Sequence, residues 1–351
     1  MVSNDLDSPA PDAALIEHDP DFWFADGSIV IIAEGVGFRV HMTLLSLHSP
    51  VFRDLFTLPQ PDPGTESDGG DSHQGFPVVH VTDSAHDMQC LLRAIYHSRR
   101  YLPDMSKRIP FAVLAALMRL GHKYELTDIV DKAANYLEEY FTADFDTWPH
   151  LCYAEHGPKF DFSSKKPADL FECVNIARLT GKTAMLPLML YRCCQLGIGD
   201  ILTGSKRCTG TIERLSEGDI ERCLVGRDRL LQLSGKIVPA LVGATCAAQC
   251  VSREACSQRI QRLRAVPEKT AGLLTTAALV GLECPLRRLH KFTELDCWQG
   301  LCYSCGLGLR HNYKKTQREI WDKLPSVFGF EKGELGRVWA GRYTVWSEGL
   351  L

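Results

Sequence analysis

The sequence of 351 residues predicts an α+β N-terminal domain, in which helices cover a small sheet, followed by a mostly α-helical C-terminal domain. Three observations support this prediction. Residues 29–33 form an apolar, β-branched run typical of a buried strand, and residues 38–41 alternate as a half-buried strand does. Between residues 43 and 141, apolar side chains recur at the three- and four-residue spacing of helices. Beyond residue 144, glycines and prolines interrupt each helical stretch and no strand alternation follows.

The stretch Phe38–Phe56 places a strand, a helix, a sharp corner and a second helix within nineteen residues. The preceding Glu-Gly-Val-Gly at residues 34–37 predicts a hairpin. Thr43 is expected to cap the first helix and Ser49 the second, with Pro50 at the first position of the second helix.

This pattern resembles the start of a BTB/POZ domain, a protein–protein interaction fold. Family members open with an aspartate-led hairpin, a Phe-x-Val-His strand, a leucine-rich helix and a Ser-Pro-x-Phe-x-x-x-Phe helix. Here the matching residues are Asp26, Phe38, Val40, His41, Leu44, Leu45, Ser49, Phe52 and Phe56. Three later helices, expected to begin near Ser84, Pro110 and Thr127, agree with the family's order through about Phe141.

The resemblance implies a homodimer that forms through the helix corner, and a role in protein interaction rather than catalysis. In some members an aspartate and a basic residue line a pocket at the dimer interface, and Asp26 with Arg39 or His41 matches them. The residues implied for the interaction surface are Asp26, Arg39, His41, Leu44, Leu47, Phe52 and Phe56.

An adaptor for an unidentified partner is the main functional expectation. One alternative is a zinc-stabilised C-terminal domain with its own binding role. The other is a substrate adaptor of cullin-type ubiquitin ligases, because other family members bind the cullin scaffold through a hydrophobic-x-Glu segment. The corresponding residues 98–104 lack that glutamate. No kelch repeats or tandem Cys/His fingers follow the domain.

Three segments of the C-terminal half are similar to BTB proteins common in basidiomycete fungi. They are Leu-Pro-x-x-Leu-Tyr-x-Cys at 186–193, Arg-Cys-Leu-x-Gly-Arg at 222–227, and Leu-Cys-x-x-Cys at 301–305 with Ile-Trp-x-x-Leu-Pro-x-x-Phe-Gly at 320–329. This resemblance extends from Phe22 onward and implies little about function.

The sequence predicts four segments. They are a disordered leader at 1–20, a BTB/POZ domain at 21–142 with an exposed insertion at 59–76, a linker at 143–166, and a helical, cysteine-containing domain at 167–351. The leader is acidic and rich in Pro and Asp, the opposite of a secretory signal. The insertion is polar and rich in Pro and Gly, a composition that cannot build a core.

Composition excludes several function classes. The net charge of −4 argues against a broad nucleic-acid-binding surface, and the basic patch around Lys314 and Lys315 is expected to be a solvated helix face. No apolar run reaches the roughly 18 residues of a membrane span, and the longest charge-free run, residues 271–282, predicts a buried helix. With no secretory signal, the fourteen cysteines are expected to stay reduced in the cytoplasm or nucleus. Five lie in apolar helical patterns and are expected in the core: Cys90, Cys173, Cys193, Cys194 and Cys223.

The strongest metal-binding pattern is Cys302-x-x-Cys305, whose two thiolates can hold one zinc ion from a tight turn. A tetrahedral site needs two more ligands, and Cys250 and Cys256 are the expected partners. Their five intervening residues exceed the usual two to four, so other ligands are open: Cys246, Cys284, Cys297 and His311. The expectation is a group of buried reduced thiols, or a loose cluster of them, without metal, and the alternative is a structural zinc site.

No catalytic arrangement stands out, so enzymatic activity is not expected. Residues 181–183, Gly-Lys-Thr, match the end of a phosphate-binding loop, but Ile176 stands where the loop requires glycine. Residues 170–179 predict a helix instead, which we expect to end at Gly181. His41 and His48 are expected to pack or cap.

Overall fold

The structure, a computed structural model, describes residues 16–57, 72–73, 75–97, 109–147, 160–161, 166–207, 210–242, 245–264, 300–331, 333–336 and 339. The chain divides into two compact units. The first comprises Met1–Lys107 with Ala112–Ala133, and the second Arg108–Phe111 with Ala134–Leu351. Within the described ranges, no helix is both long and apolar enough to cross a membrane.

The first unit contains a five-stranded sheet built around the predicted apolar strand. Its strands are β1 (Glu17–Trp23), β2 (Ile29–Ala33), β3 (Val36–Val40), β4 (Ser72–His73) and β5 (Phe76–Val81), in the spatial order β1-β3-β2-β5-β4. β2 runs antiparallel to β3 and parallel to β5, so that Ile31 pairs with Phe38 on one side and Val79 on the other. All five residues of β2 are buried. A central strand bonded on both edges satisfies its backbone groups, which lets it carry an unbroken apolar run.

The β2–β3 hairpin turns at Glu34 and Gly35, both of which have positive φ, 46° and 81°. A two-residue turn of this kind matches the twist of the strands it joins. The predicted hairpin is therefore confirmed. Residues 17–20 of the expected leader lie in β1, which pairs in parallel with β3.

In the described ranges of the N-terminal part of the chain, five helices accompany the sheet. They are α1 (Met42–His48), α2 (Pro50–Thr57), α3 (Ala85–Tyr96), α4 (Phe111–Lys123) and α5 (Thr127–Tyr140). The hydroxyls of Ser49 and Ser84 cap α2 and α3, each accepting from the backbone N–H three residues later; Ser49 is the predicted cap of α2, and Ser84 is one of the two residues, with Asp83, predicted to cap α3. The prediction for Thr43 is wrong, because α1 begins at Met42, whose N–H donates to Ser28 Oγ at 3.0 Å.

The second unit is helical, with short two-residue strands. Its helices are α6 (Pro167–Leu179), α7 (Leu186–Cys193), α8 (Ile198–Thr203), α9 (Glu217–Val242), α10 (Arg253–Arg264) and α11 (Tyr303–Val327). β6 (Ile109–Pro110) pairs with β7 (Phe160–Asp161), and β8 (Ser205–Lys206) with β9 (Ile212–Glu213). Gly181 follows the end of α6 with a φ of 69°, so the predicted helix end is confirmed. The predicted fold class, a small sheet with helices followed by a helical region, is confirmed as well.

Arginines of α9 bind the carboxyl ends of two other helices. Arg222 donates to the Phe328 carbonyl at 2.6 Å. Arg229 donates to the carbonyls of Ser326 and Val327, both at 3.0 Å. Arg227 donates at 2.8 Å to two carbonyls that follow α7. The Phe328 ring packs against the bare backbone of Gly226. The fold therefore explains the arginines of the Arg-Cys-Leu-x-Gly-Arg segment, since they donate to helix-end carbonyls that lack intrahelical donors.

The start of the expected linker packs against α11. The Phe145 ring meets Trp321 edge to face, with 5.8 Å between ring centroids. The carboxylate of Asp146 pairs with Lys314 at 3.1 Å and Arg318 at 2.5 Å. These residues belong to the second unit.

Candidate interaction surface and candidate metal centre

Asp26 and His41 meet beside the sheet of the first unit. Nε2 of His41 lies 3.3 Å from the Asp26 carboxylate, and Nδ1 lies 2.9 Å from the Tyr96 hydroxyl. The hydrogen bond with His41 lowers the pKa of Asp26. The Asp26 side chain is 84% exposed, so its carboxylate is accessible to solvent and to a binding partner.

Arg39 fixes the turn that carries Asp26. Its guanidinium donates to the carbonyls of Ala25 at 2.6 Å and Gly27 at 3.2 Å. The same group lies 3.9 Å from the centroid of the Phe76 ring, which is cation–π distance. In the single chain Arg39 therefore orients the Asp26 carboxylate rather than extending into solvent.

The corner of α1 and α2 carries an apolar face that the first unit covers only in part. Leu45 is the buried residue of α1, and Phe52 that of α2. Leu47 is 77% exposed, the most exposed large apolar side chain among the described residues of this unit. The same two helices carry five half-buried apolar side chains: Met42, Leu44, Val51, Leu55 and Phe56. We call Leu47 with these five residues the corner face.

Phe52 supports the corner from inside. It is fully buried, and its ring stacks on Tyr124 with 4.2 Å between centroids and on Phe56 with 5.8 Å. Ser49 also holds the corner against α4, because its hydroxyl donates to the carbonyl of Tyr124, which directly follows α4, at 2.7 Å. Phe52 is thus a core residue here, whereas Leu44, Leu47 and Phe56 keep exposed surface.

Four cysteines of the second unit form a compact cluster. The Sγ atoms of Cys250, Cys256, Cys302 and Cys305 all lie within 4.8 Å of one another, and those of Cys250 and Cys302 are 3.7 Å apart. A zinc ion with Zn–S bonds of about 2.3 Å holds tetrahedral thiolates about 3.8 Å apart. The spacing therefore fits a single ion. Iron–sulfur clusters, which place several iron and sulfide atoms between the thiolates, require wider separations.

The backbone around the cluster favours thiolates. Cys302 precedes α11 and Cys305 lies in its first turn, while Cys256 lies in the first turn of α10. The N–H groups of Cys302 and Ala247 donate to the Sγ atoms of Cys256 and Cys305, at 3.2 and 3.3 Å. The backbone N–H of Cys305 lowers the pKa of the Cys302 thiol to about 6, whereas burial raises the pKa of Cys305 to about 12, so that Cys302 is the cysteine of this pair that ionises first. Helix N-termini and N–H donors stabilise negative charge, as a site with four thiolates requires.

A small apolar cluster lies beside the four cysteines. Within the described residues, it consists of buried Ile260 of α10 and Leu309 of α11, with Cys246 and Leu301 packed against them. Small domains with a limited apolar core commonly use a metal or disulfides for stability. We call residues 245–264 with 300–312 the cysteine module.

The other cysteines and the alternative ligands lie elsewhere. Cys246 Sγ donates to the Arg253 carbonyl at 3.6 Å and is not part of the four-thiol cluster. Cys284 and Cys297 lie outside the described residues, as does the predicted helix at 271–282. The five cysteines predicted for the core are all buried. Among the described residues, the cluster is the one group of His, Cys, Asp and Glu side chains placed to share a metal ion.

Residues 24–140 match the family model of the BTB/POZ domain. The chain therefore carries a BTB/POZ domain in its N-terminal third, and this domain is a protein–protein interaction module. No curated protein and no solved structure matches the chain. The similarity to fungal BTB proteins consequently stays a prediction. Residues 98–104, which correspond to the cullin-binding segment of other family members, lie outside the described residues, as does most of the predicted insertion.

Sequence reasoning missed Tyr96, which binds the ring and the backbone N–H of His41. No sequence pattern links two residues that are 55 positions apart in this way. It also missed the run of Tyr303, Leu307 and Arg310 on α11, although their spacing of four and three residues places them on one helix face.

Proposed function

We propose that the chain is a non-enzymatic interaction protein whose BTB/POZ domain pairs with a second copy through the corner face. The observation that supports this most is Leu47, a leucine 77% exposed on a two-helix corner that carries five half-buried apolar side chains. Exposed apolar patches mark interaction sites on soluble proteins. A two-fold axis would bring each corner face onto the same face of its partner, so each Leu47 would be buried once.

The test is the oligomeric state of the full chain, measured by sedimentation equilibrium. The wild type is expected to be a dimer at about 100 µM, where a complex with a micromolar dissociation constant is mostly formed. Leu47→Asp is expected to weaken dimerisation at least about a hundredfold, because it buries two carboxylates in one interface. Leu202→Asp is the matched control, since Leu202 is also an exposed leucine on a short helix, in the second unit.

A monomeric wild type at that concentration would end the self-association proposal, as would a Leu47→Asp chain that dimerises like the control. The adaptor role is tested by affinity purification with mass spectrometry from the native cell, comparing wild type with Leu47→Asp. A cullin scaffold among the recovered proteins would identify the ligase-adaptor alternative. Recovery of no partner by either chain would contradict the adaptor role.

We also propose that the four-cysteine cluster binds one structural zinc ion. The support is the mutual approach of four Sγ atoms within 4.8 Å, next to two helix N-termini. Cys250 comes from the loop before α10 and Cys256 from the first turn of α10, whereas Cys302 and Cys305 come from the start of α11. A zinc ion held by all four thiolates would therefore join the two helices, in a region where the described residues form a small apolar cluster.

The donor set determines which metal the cluster would select. Four soft thiolates in a tetrahedral arrangement favour zinc or iron over magnesium or calcium. The short distances between the Sγ atoms favour a single ion, as argued above. Thiols that stay reduced also fit the cytoplasm or nucleus, which we propose as the compartment.

The metal is tested on the full chain purified without chelator, by inductively coupled plasma mass spectrometry. About one zinc per chain is expected, and Cys305→Ser should lower that content to near zero. Cys246→Ser is the matched control, since Cys246 lies beside the cluster without joining it. Wild-type protein without stoichiometric metal, or a Cys305→Ser chain that binds as much zinc as Cys246→Ser, would refute the site.

A further inference from the structure

A groove of about 1120 Å³ lies beside the cysteine cluster. One wall is the loop that precedes α10, from Thr245 to Gln249, and the other is the start of α11, from Tyr303 to Asn312. Cys305 lines the groove itself, and Ala247 on the opposite wall donates its N–H to Cys305 Sγ. The two walls are therefore held together at the cluster.

Large apolar side chains project from the helical wall into solvent. Tyr303 is 84% exposed and Leu307 is 54% exposed, four residues apart on α11. Arg310 follows three residues after Leu307, so the three side chains share one face of the helix. Gly308 adds no side chain between them, and a Cβ placed there would meet nothing within 4 Å. The wall thus offers an aromatic ring and an aliphatic side chain, and Arg310, which does not line the groove, adds a cation on the same helix face.

The charge of this region is opposite to that of the whole chain. Residues 245–264 and 300–318 contain eight Lys and Arg and one acid, whereas the chain has a net charge of −4. Lys314 and Arg318 pair with Asp146. Arg253, Arg310 and Lys315 are exposed, and no carboxylate of the described residues lies within ion-pair distance of them. The two segments that form the groove walls therefore carry a net positive charge in the sequence, which favours a negatively charged occupant.

We propose that this groove is a docking site for an acidic peptide segment of a partner protein that carries large apolar side chains. The apolar side chains would contact Tyr303 and Leu307, and the carboxylates would pair with Arg310 and its neighbouring cations. The proposal rests on the proposed zinc site only in that zinc would hold the two walls in place. A peptide fits better than single-stranded nucleic acid, because successive bases need several stacking rings and the residues that line the groove provide two, Tyr303 and His311.

The probe is a displayed library of random peptides of about twelve residues, selected on the full, metal-loaded chain. Recovered peptides are expected to be enriched in Asp and Glu together with Leu, Phe or Trp. A synthetic copy of the strongest binder should bind Arg310→Glu and Tyr303→Ala at least about tenfold more weakly than wild type. Lys132→Glu and Ile212→Ala are the matched controls, with the same kinds of change at exposed sites elsewhere, and should alter affinity less than about twofold.

Three results would overturn the proposal. The first is a set of recovered peptides that is not acidic, or whose binding ignores the groove variants. The second is a single-stranded oligonucleotide that binds more tightly than the peptide and displaces it. The third is a melting temperature lowered by Tyr303→Ala as much as by a core substitution, which would mean that another part of the chain covers the groove. Leu307→Ser serves as the second groove variant if Arg310→Glu fails to fold.

Zinc content, measured on every variant, separates this proposal from the metal site. A chain that holds one zinc and yields no acidic peptides overturns the docking site and leaves the zinc site intact. A chain without zinc whose acidic peptides still depend on Arg310 and Tyr303 overturns the zinc site and leaves the docking site intact.

Discussion

Gly226→Ala tests the packing of α9 against α11. A Cβ at position 226 would lie 2.7 Å from Cδ1 of the Phe328 ring and closer still to Cε1. Carbon atoms in contact prefer separations of about 3.5–4.0 Å, so the ring would have to move by roughly 1 Å. Phe328 is buried, and its carbonyl is held by Arg222 at 2.6 Å, which restricts that movement.

Two opposing effects set the magnitude. Alanine in a helix interior is favoured over glycine by about 1 kcal/mol. Extra carbon in a well-packed core typically costs about 1–3 kcal/mol, and the bonds that hold Phe328 place this site at the upper end. We therefore expect Gly226→Ala to lower the free energy of unfolding by about 1–2 kcal/mol.

The assay is thermal unfolding of the full chain by calorimetry, with Gly218→Ala as the matched control. Gly218 lies in the same helix, and a Cβ there would meet nothing within 4 Å. The control should be as stable as wild type or slightly more stable, since only the helix propensity changes. Equal melting temperatures for Gly226→Ala and Gly218→Ala would refute the proposed contact.

Further predictions concern a histidine, a buried indole and the cysteine cluster. The hydrogen bond to Asp87 raises the pKa of His86 from 6.5 to about 10. This stabilisation is complete below pH 6.5 and is lost as the pH rises towards 10, and because His86 is half exposed, the stabilisation amounts to about 1 kcal/mol. The difference in melting temperature between wild type and His86→Gln should therefore shrink over that pH range. A difference that stays constant would contradict the assignment. Trp321→Phe removes the indole donor to the Ala143 carbonyl and should lower the free energy of unfolding by about 1–3 kcal/mol in denaturant titrations, an expectation that an unchanged midpoint would disprove. Zinc content after dialysis should fall between about pH 7 and pH 5, because protons compete for the thiolates, and pH-independent content would contradict thiolate ligation.

The sequence predicted the elements whose signals are local. The apolar run at 29–33, the Glu34–Gly35 turn and the caps at Ser49 and Ser84 each depend on residues within a few positions of one another. β1 could not be predicted in this way. It is mostly polar and contains Pro20, and its place depends on parallel pairing with β3, which is a non-local contact.

The cysteine cluster shows the same limit. The Cys302-x-x-Cys305 spacing was enough to predict a half-site, but the choice between Cys246 and Cys250 depended on the path of the loop before α10. Helical spacing would have placed these two cysteines on one face, yet residues 245–252 are not helical, and only Cys250 reaches the cluster. The positive charge of residues 245–264 and 300–318 is not visible in the net charge of the chain, because the net charge averages over these segments and an acidic remainder.

The contacts also separate structural motifs from functional surfaces. The arginines of α9 end on carbonyls of the same unit, and Gly226 provides room for the Phe328 ring, so that segment is explained by folding alone. Phe52 is explained by the core in the same way. Leu47 in the first unit and Tyr303 in the second have no such explanation, since burial in the single chain accounts for neither side chain. Large apolar side chains are costly to leave in water, and for that reason we propose binding at the corner face and the groove rather than at the motifs whose side chains the fold itself occupies.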